Sequence, residues 1–366
     1  MLSQRVSFTS FERIAAWQAD DHFAAFQAFR RSAAHASAKR YKDGGLGVGF
    51  DDLKPVFQAA LESDISEQQA ARSFFEQWFV PALVTPEPGR QGHVTGFYEP
   101  VVKASRVKSA AFPVPLYAKP DDLAEIDDAT RPAHIDPYFR FARNTESGLV
   151  EYADRGEIER GFLAGRDLEF VYLADVVEAF FIHVQGAARL QFEDGSEMRV
   201  TYSGKSGHPF TGPGRVLIDK GKIDPKTVSM QSIRAWLKAN PGRVNEILWH
   251  NRSFIFFGES PMGDTSLGPF AAAKVQLTAG RSMAVDRLLH VFGSPFFVSA
   301  PTVDGGDGKP FNRLMIAQDT GSAIVGAARG DLFTGSGFDA GQIAGKINAA
   351  ADFYLLVPKH LADKSR

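Results

Sequence analysis

Cysteine is absent from the 366-residue sequence. Its absence excludes disulfide bonds, cysteine-ligated zinc, iron–sulfur clusters and a thiol nucleophile. It also removes the attachment point of an N-terminal lipoprotein anchor, so we expect no such anchor on this chain. Long apolar runs are missing as well, because none reaches the roughly 18 residues that a membrane span needs. Residues 1–17 lack the apolar segment of a secretory signal, so the sequence predicts neither a signal peptide nor a transmembrane helix.

An excess of one charge is also missing, because 41 Lys and Arg residues nearly balance 43 Asp and Glu residues. Surfaces that bind polyanions need a basic excess, so we expect no nucleic-acid partner. The HExxH pattern of zinc enzymes and the GxSxG pattern of serine hydrolases do not occur. We therefore predict no metal ion and no cofactor.

The first 80 residues have the periodicity of helices. Thr9 and Glu12 have the spacing of a capping box, which predicts a helix at that point. Asp20 or Asp21 is the expected cap of a second helix. Farther on, an aromatic stripe at 74–79 is typical of side chains that pack in a core.

From about residue 90 onward, short β-like runs separated by turns predominate. A helix is predicted to begin after Asp175 and to end near Gly186, and Asp194-Gly195 is predicted to form a hairpin turn. The length of the chain allows two domains. Many short strands with few long helices predict one or two β-barrels with helical decoration.

Three aspartates in the C-terminal third, Asp286, Asp319 and Asp331, each end an apolar, strand-like run. Such an aspartate is commonly a turn-former or a cap whose side chain binds nearby backbone amides. If the three strand ends converge, however, the like charges raise the pKa of one carboxyl group. That group then stays protonated near neutral pH and serves as a general acid. We expect Asp331 to be this acid and Asp319 to support it.

Residues 95–100, TGFYEP, combine a hydroxyl, a glycine, two aromatic rings and an acid. This mixture suits the wall of a sugar-binding groove, although an ordinary edge strand would also explain it. Glu99 is the alternative acid if Asp331 proves structural. A second polar group, from His183 to Arg189, ends a very apolar helix, and a lone histidine there is typical of a hydrogen-bonded core residue.

Taken together, these segments resemble the family of membrane-bound lytic murein transglycosylase A, and they occur in the family's order. The matching segments are TGFYEP (95–100), YADRGEIERG (152–161), VVEAFFIHVQGAARL (176–190), NRSFIFFGE (251–259), LTAGRSMAVD (277–286) and QDTGSAIVGAARGDLFTGSG (318–337). The resemblance implies a mainly β fold with helical decoration, in which a double-psi β-barrel of the barwin and endoglucanase type carries a second, inserted small β domain. It also implies a groove between the two.

The domain boundaries follow from the same resemblance. A discontinuous domain at 1–103 and 246–366 is expected to hold the N-terminal helices and the barrel with its three-aspartate region, 277–357. The inserted β domain is expected at 104–245.

The resemblance further implies cleavage of the β-1,4 bond between N-acetylmuramic acid and N-acetylglucosamine in peptidoglycan. The family's single catalytic aspartate corresponds to Asp331, with Asp319 as its neighbour. Protonated Asp331 is expected to donate to the leaving oxygen and then to accept the proton of the C6 hydroxyl, which closes on C1 to give a 1,6-anhydro end. The expected substrate contacts are Thr95, Gly96, Tyr98, Gln185, Arg189 and Asp286.

We therefore expect peptidoglycan glycan strands as the partner, with other cell-wall enzymes as further candidates. A monomer in the periplasm or cell envelope of a Gram-negative bacterium is expected, and the absence of cysteine leaves its membrane anchoring open. Two other functions stay open. An aspartic peptidase also carries DTG, although it needs two such aspartates and this sequence has one DTG. A non-catalytic barrel would hold peptidoglycan without cutting it.

Overall fold

The computed structural model describes residues 2–305 and 308–364, and the chain divides into two compact units. Unit 1 comprises Met1–Tyr98 and Gly263–Arg366, whereas unit 2 comprises Glu99–Met262. The chain of unit 2 is therefore an insertion in the chain of unit 1. In the described residues, no helix is both long and apolar enough to cross a lipid bilayer.

Strands form sheets in both units. In chain order the described strands are β1 (Val6–Phe8), β2 (Phe79–Val84), β3 (His93–Glu99), β4 (Val101–Ser105), β5 (Val114–Tyr117), β6 (Leu123–Glu125), β7 (Phe141–Thr145), β8 (Gly148–Val150), β9 (Glu169–Leu173), β10 (Ala187–Gln191), β11 (Glu197–Lys205), β12 (Ile255–Ser260), β13 (Ser282–Val285), β14 (Pro295–Asp304), β15 (Pro310–Asp319), β16 (Arg329–Ser336), β17 (Asn348–Ala350) and β18 (Asp352–Pro358).

The α-helices lie mainly toward the two ends of unit 1 and in unit 2. They are α1 (His22–Ala38), α2 (Phe50–Glu62), α3 (Gln68–Trp78), α4 (Arg155–Glu157), α5 (Val176–Gln185), α6 (Pro213–Asp219), α7 (Met230–Ala239), α8 (Val244–Leu248), α9 (Gly337–Ala344) and α10 (Lys359–Lys364).

The sheet of unit 1 has the strand order β1-β2-β18-β14-β15-β13-β16-β3-β17. β17 and β18 are separated only by Ala351 and continue one another. β17 pairs with β3, with Asn348 opposite Thr95, whereas β18 pairs with β14, with Asp352 opposite Ser299. This continuous stretch therefore joins both ends of the row β14-β15-β13-β16-β3 and closes it into a six-stranded barrel.

The three long helices of unit 1 cover part of the barrel. Asp21 begins α1, because its carboxylate accepts a hydrogen bond from the backbone N–H of Ala24 at 3.0 Å. The aromatic stripe is confirmed as core, since Phe74, Phe75 and Phe79 are buried in the same apolar cluster as the barrel strands. Burial of these rings stabilises unit 1 by roughly 1.5–3 kcal/mol for each fully buried side chain.

The helix expected after Thr9 does not form. Instead, two short 3₁₀ turns at Phe11–Arg13 and Trp17–Ala19 precede α1. The buried ring of Trp17 lies 5.5 Å from that of Phe297, and its indole N–H donates to Glu76 at 2.8 Å. These tertiary contacts fix the chain in a path that a continuous helix would not follow, which overrides the local capping pattern.

A buried ion pair attaches this N-terminal segment to the barrel. Both terminal nitrogens of Arg281 donate to the carboxylate of Asp20 at 2.9 Å, in a bidentate arrangement. Asp20 also accepts from the backbone N–H of Leu314 at 2.6 Å. The two side chains are almost completely buried, so each charge depends on the other for compensation.

Unit 2 contains a six-stranded sheet with the order β12-β11-β10-β4-β9-β5 and a three-stranded sheet with the order β6-β7-β8. Two local predictions are confirmed here. Asp175 begins α5 by accepting from the N–H groups of Val177 and Glu178, and Gly186 ends it at φ 76°, a conformation that favours glycine. β10 and β11 pair as the hairpin predicted around Asp194-Gly195.

Unit 2 begins earlier and ends later than the sequence indicated. It begins at Glu99 and ends at Met262, whereas the expected insert was 104–245. The difference arises because β4 pairs with β10 and β12 pairs with β11, so both flanks belong to the sheet of the insert. The mainly β, two-unit architecture with an inserted domain is confirmed, and the groove implied by the resemblance stays a prediction.

Candidate active site

Two of the three predicted aspartates lie in one row of the barrel wall. β13 is flanked by β15 and β16, and its residue Ala284 pairs with Asp319 on one side and with Asp331 on the other. Neighbouring strands are about 4.8 Å apart, so the two aspartate Cα atoms are separated by roughly 10 Å. Asp319 ends β15 as expected, whereas Asp331 is the third residue of β16, because the apolar run at 322–328 forms a loop and not the expected strand.

Asp331 is bound on one side by a chain of hydrogen bonds. Thr95 Oγ1 donates to Asp331 Oδ1 at 2.5 Å, and Arg329 Nη2 donates to Thr95 Oγ1 at 2.6 Å. Burial raises the pKa of Asp331 above its ordinary value, while the Thr95 hydrogen bond and the positive charge of Arg329 offset part of the rise. Asp331 as a whole residue is partly exposed, whereas its buried carboxyl group holds its proton more tightly than that of an ordinary aspartate.

An apolar cluster explains the desolvation of this row. Phe97 and Phe333, two residues beyond Thr95 and Asp331 on their strands, have ring centroids 5.3 Å apart. They pack with Ala284, between the two aspartates, in one buried apolar cluster. Because these apolar side chains exclude water from the carboxyl groups, their charged forms are disfavoured.

Asp319 lies in the same surroundings but has different partners. Its carboxylate accepts a hydrogen bond from the backbone N–H of Ala272 at 3.2 Å. Burial raises the pKa of Asp319 to about 6, and the charge of Asp331 adds to the rise, whereas backbone hydrogen bonds from Thr320 and Ala272 oppose it. The charge of Asp331 thus helps to keep Asp319 protonated, whereas the shift of Asp331 itself arises from its burial, Thr95 and Arg329.

Asp286 has the role of a loop anchor. One carboxylate oxygen accepts from the N–H of Leu288 at 3.0 Å, and the other accepts from the N–H of Gly326 at 2.9 Å. The side chain therefore joins the turn after β13 to the loop before β16. This is the turn-forming behaviour that the sequence also allowed, and a substrate contact by Asp286 stays a prediction.

Gly96 and Tyr98 pack against α9. A Cβ atom on Gly96 would lie 2.8 Å from the Cα of Ala344, and a Cβ atom on Gly341 would lie 2.8 Å from the ring of Tyr98. Glycine at both positions lets the helix approach β3 closely. These contacts hold α9 against the strand that carries Thr95.

The other predicted residues belong to unit 2. Arg189 Nη2 donates to Glu99 at 3.3 Å, and Arg199 Nε donates to the other oxygen of Glu99 at 2.9 Å. Glu99 is only 1% exposed, so it is a buried, paired carboxylate and is not suited to act as the acid. Gln185 is half-buried at the end of α5.

The interpretation of His183 as a hydrogen-bonded core residue is confirmed. Its Nδ1 atom accepts from the backbone N–H of Ile255 at 3.2 Å. Burial and the nearby charge of Arg155 hold the pKa of His183 well below its ordinary value. The imidazole is therefore neutral and structural.

Arg329 is the site residue that the sequence prediction missed. It precedes Asp331 by two positions on β16. Alternate residues of a strand face the same side, so the RGD spacing was a usable signal. Its partner Thr95 is 234 residues away in the chain, and their meeting depends on the neighbouring positions of β16 and β3.

A β-barrel that carries neighbouring, partly buried aspartates and is interrupted by a separate β domain defines a class of three-aspartate barrel proteins with an insertion. Comparison with protein families supports this class. Residues 93–258 match the model of the MltA specific insert domain, and residues 281–357 match the model of the 3D domain.

Comparison with individual proteins narrows the class. A crystal structure of a membrane-bound lytic murein transglycosylase from Agrobacterium tumefaciens is 46% identical, covers 99% of both chains and has a TM-score of 0.92. Membrane-bound lytic murein transglycosylase A of Escherichia coli (strain K12) is 31% identical over 261 residues, which are 69% of this chain and 62% of that protein. The chain thus matches less than two thirds of the length of this relative. This chain belongs to the family of membrane-bound lytic murein transglycosylase A.

A third relative has been solved with a ligand. The crystal structure of E. coli MltA with bound chitohexaose is 23% identical, covers 98% of this chain and 95% of that chain, and has a TM-score of 0.69. At this identity the likeness establishes a shared fold.

Proposed function

We propose that this protein is a lytic transglycosylase that cleaves the β-1,4 bond between N-acetylmuramic acid and N-acetylglucosamine in peptidoglycan. The observation that carries the proposal is Asp331, a partly exposed residue whose carboxyl group has its pKa raised by burial in the three-aspartate barrel. Membership of a family whose relatives are named lytic murein transglycosylases supports the same conclusion.

The proposed reaction uses Asp331 first as an acid and then as a base. Protonated Asp331 donates to the glycosidic oxygen, and the bond from that oxygen to C1 of the muramic acid breaks. The C6 hydroxyl oxygen of the same sugar then bonds to C1 and transfers its proton to the Asp331 carboxylate. No water is consumed, a 1,6-anhydro end is formed, and Asp331 is protonated again.

One carboxyl group suffices for this reaction because the substrate supplies its own nucleophile. Ordinary glycosidases need a second carboxyl group to act as nucleophile or to activate water. The C6 hydroxyl is tethered to the reacting carbon, and such intramolecular attack avoids most of the entropic cost of bringing in a second reactant.

We assign Asp319 a supporting role. It lies in the same row as Asp331, and its own pKa of about 6 means that it is mostly ionised at neutral pH. Its negative charge raises the pKa of Asp331 and so keeps the acid protonated at higher pH.

The separation of the two aspartates argues against an aspartic peptidase. In that class, two carboxyl groups about 3 Å apart share one proton. Here β13 lies between Asp319 and Asp331, and within residues 2–305 and 308–364 no hydrogen bond joins their side chains.

The proposed substrate is a glycan strand of peptidoglycan in the bacterial cell envelope. A relative that was solved with chitohexaose supports a glycan ligand for this fold, and the relatives named membrane-bound support the location. Gln185 and Arg189 in unit 2 stay our candidates for glycan contacts. A monomeric state and partnership with other cell-wall enzymes also stay predictions.

The test is the replacement Asp331→Asn in the purified protein, incubated with isolated peptidoglycan sacculi. We expect release of 1,6-anhydromuropeptides to fall about 100-fold or more, because the acid is lost while the shape of the side chain is kept. Asp352→Asn is the matched control, since Asp352 is an exposed aspartate of unit 1.

Mass spectrometry of the products also tests the two other functions. Soluble peptides without anhydro sugars would support a peptidase, and retention on the sacculi without soluble products would support a binding barrel. Products that end in reducing sugars, or an Asp331→Asn variant with wild-type rates, would contradict the proposal.

A further inference from the structure

The hydrogen-bond chain from Arg329 to Asp331 has a fixed direction. Arg329 Nη2 donates to Thr95 Oγ1 at 2.6 Å, and its other terminal nitrogen donates to the backbone carbonyl of Gly330. A guanidinium group stays charged in proteins and has donors but no acceptor. The Thr95 oxygen must therefore accept on the side that faces Arg329.

The hydroxyl hydrogen of Thr95 is then directed to a single hydrogen-bond acceptor among the described residues. Among the residues that the structure describes, Asp331 Oδ1, at 2.5 Å, is the acceptor within reach of this hydroxyl. A proton on Oδ1 would have to donate back to Thr95 and would leave the threonine hydroxyl hydrogen without an acceptor. A proton on Oδ2 keeps both hydrogen bonds intact, and Oδ2 makes no hydrogen bond to a described residue.

We propose that Arg329 is a positioning residue that acts through the Thr95 hydroxyl to assign the exchangeable proton of Asp331 to Oδ2. This inference rests on the proposed function, since it concerns the proton that Asp331 donates to the glycosidic oxygen. The proton leaves from Oδ2, and Oδ2 later accepts the proton of the C6 hydroxyl. The Thr95 hydrogen bond to Oδ1 strengthens as the carboxylate forms, so it favours the transition state over the ground state.

The charged groups around Asp331 determine how each substitution changes the pH profile. Arg329 faces it from β16 and Asp319 from β15, while β13 presents only the methyl group of Ala284. On β3, Thr95 is neutral, and the pKa of His93 is lowered by burial and by Arg329. Loss of the Thr95 hydrogen bond or of the Arg329 charge removes a group that favours ionised Asp331. Both changes therefore raise its pKa.

The experiment compares kcat and KM for four variants on purified sacculi or soluble glycan strands. Thr95→Val removes the hydroxyl, and we expect kcat to fall about 10- to 100-fold, the range for a charge-assisted hydrogen bond, with little change in KM. Arg329→Gln should lower kcat about tenfold, because its amide oxygen accepts a hydrogen bond and allows the Thr95 hydroxyl to turn away from Asp331. Thr95→Ser and Arg329→Lys keep the hydroxyl and the donor-only cation, so most activity should remain.

Two further readouts separate positioning from a general structural role. The alkaline limb of the pH–rate profile should move to higher pH in Thr95→Val and in Arg329→Gln. At a pH where Asp331 is protonated, the double variant should be little slower than Thr95→Val alone, because Arg329 acts through Thr95. The inference would be overturned if the fold-decreases in kcat of the two single variants multiplied in the double variant. It would also be overturned if Arg329→Lys had a kcat as low as that of Arg329→Gln.

The Asp331→Asn variant separates this inference from the proposed function. If Asp331→Asn still releases anhydromuropeptides, the proposed function of Asp331 is wrong whatever Thr95 and Arg329 do. If Asp331→Asn is inactive while Thr95→Val and Arg329→Gln keep wild-type kcat and pH profiles, only the inference about the proton position is wrong. Thermal unfolding of each variant identifies any loss that is due to misfolding, and Thr95→Ser and Arg329→Lys supply folded variants in that case.

Discussion

At the scale of single residues, Asp319 connects the stability of the barrel to pH. The folded protein raises the pKa of its carboxyl group to about 6, whereas the value in an unfolded chain is about 4. Between these values the folded state binds more protons than the unfolded state, so the free energy of unfolding decreases as pH rises. The stabilisation is complete below about pH 4 and is lost as pH passes 6.

We expect Asp319→Asn to remove this pH dependence. Asparagine cannot ionise, and its oxygen can still accept from Ala272. From pH 4 to pH 8 the wild type should therefore lose about 1–3 kcal/mol of unfolding free energy relative to the variant. Urea unfolding at several pH values measures it, and a difference that does not vary with pH would contradict the raised pKa.

The same variant tests the link between the two aspartates. The proposed role of Asp319, in which its charge raises the pKa of Asp331, predicts that Asp319→Asn moves the alkaline limb of the pH–rate profile to lower pH. The shift is opposite in sign to that expected for Thr95→Val. An unchanged profile would show that Asp319 does not influence the acid.

The apolar runs before Asp319 and Asp331 drew attention to both residues, and the structure places both at paired positions of the barrel. Only Asp319 ends a strand, because the run before Asp331 is a loop. It could not reveal their environment. The contact between Thr95 and Asp331 joins positions 236 residues apart, and it depends on the relative register of β3 and β16. Register of this kind is set by the closure of the whole barrel and leaves no local trace.

At the scale of secondary-structure elements, the ion pair between Asp20 and Arg281 holds the segment before α1 against the barrel. We expect Asp20→Asn to destabilise unit 1 by about 3 kcal/mol, because it leaves the Arg281 charge buried without compensation. Urea unfolding at neutral pH measures the loss.

Asp219→Asn is the matched control for that prediction. Asp219 forms an ion pair with Arg215 at 2.8 Å, but both side chains are more than half exposed. Exposed pairs contribute little, so this variant should change the unfolding free energy by less than about 1 kcal/mol. Equal effects of the two substitutions would show that the buried pair has no special role.

Elements with strong local signals were predicted well, and elements fixed by distant contacts were not. α5 carries its own cap at Asp175 and its own terminating glycine at Gly186, so its bounds could be read from the sequence. The segment around Trp17 has a helix-like pattern but follows the packing of its indole ring against Phe297. In that segment tertiary contacts outweigh local propensity.

At the scale of the whole molecule, unit 2 has the properties of an independently folding domain. Its buried apolar clusters are formed by its own residues, and its two ends are held by one side chain. Arg199 binds the carboxylate of Glu99 at the beginning of the unit and the carbonyl of Met262 at its end, with the latter hydrogen bond 2.5 Å long.

We therefore expect the isolated fragment 99–262 to fold and to unfold cooperatively. Circular dichroism during heating, together with dispersed amide NMR signals, measures this. Arg199→Met in the fragment should lower the unfolding free energy by about 3 kcal/mol or more, because the buried Glu99 loses a main partner. A fragment without a cooperative transition would show that its folding needs unit 1.

The boundaries of this domain illustrate what a sequence leaves undetermined. The motifs located the insertion, but β4 and β12 look like any short strand, and only their pairing with β10 and β11 assigns them to unit 2. Patterns along a chain identify elements, whereas membership of a sheet is decided by partners that lie elsewhere.

The contacts of Arg199 with both ends of unit 2 bear on how the barrel accommodates its inserted domain. When the two ends of an inserted segment lie close together, the length of the segment adds only slowly to the entropic cost of closing the loop. The barrel therefore accommodates a large inserted domain at this position with only a modest increase in the entropic cost of loop closure. A chain in which a few glycines and serines connect Tyr98 directly to Gly263 should accordingly keep a closed barrel.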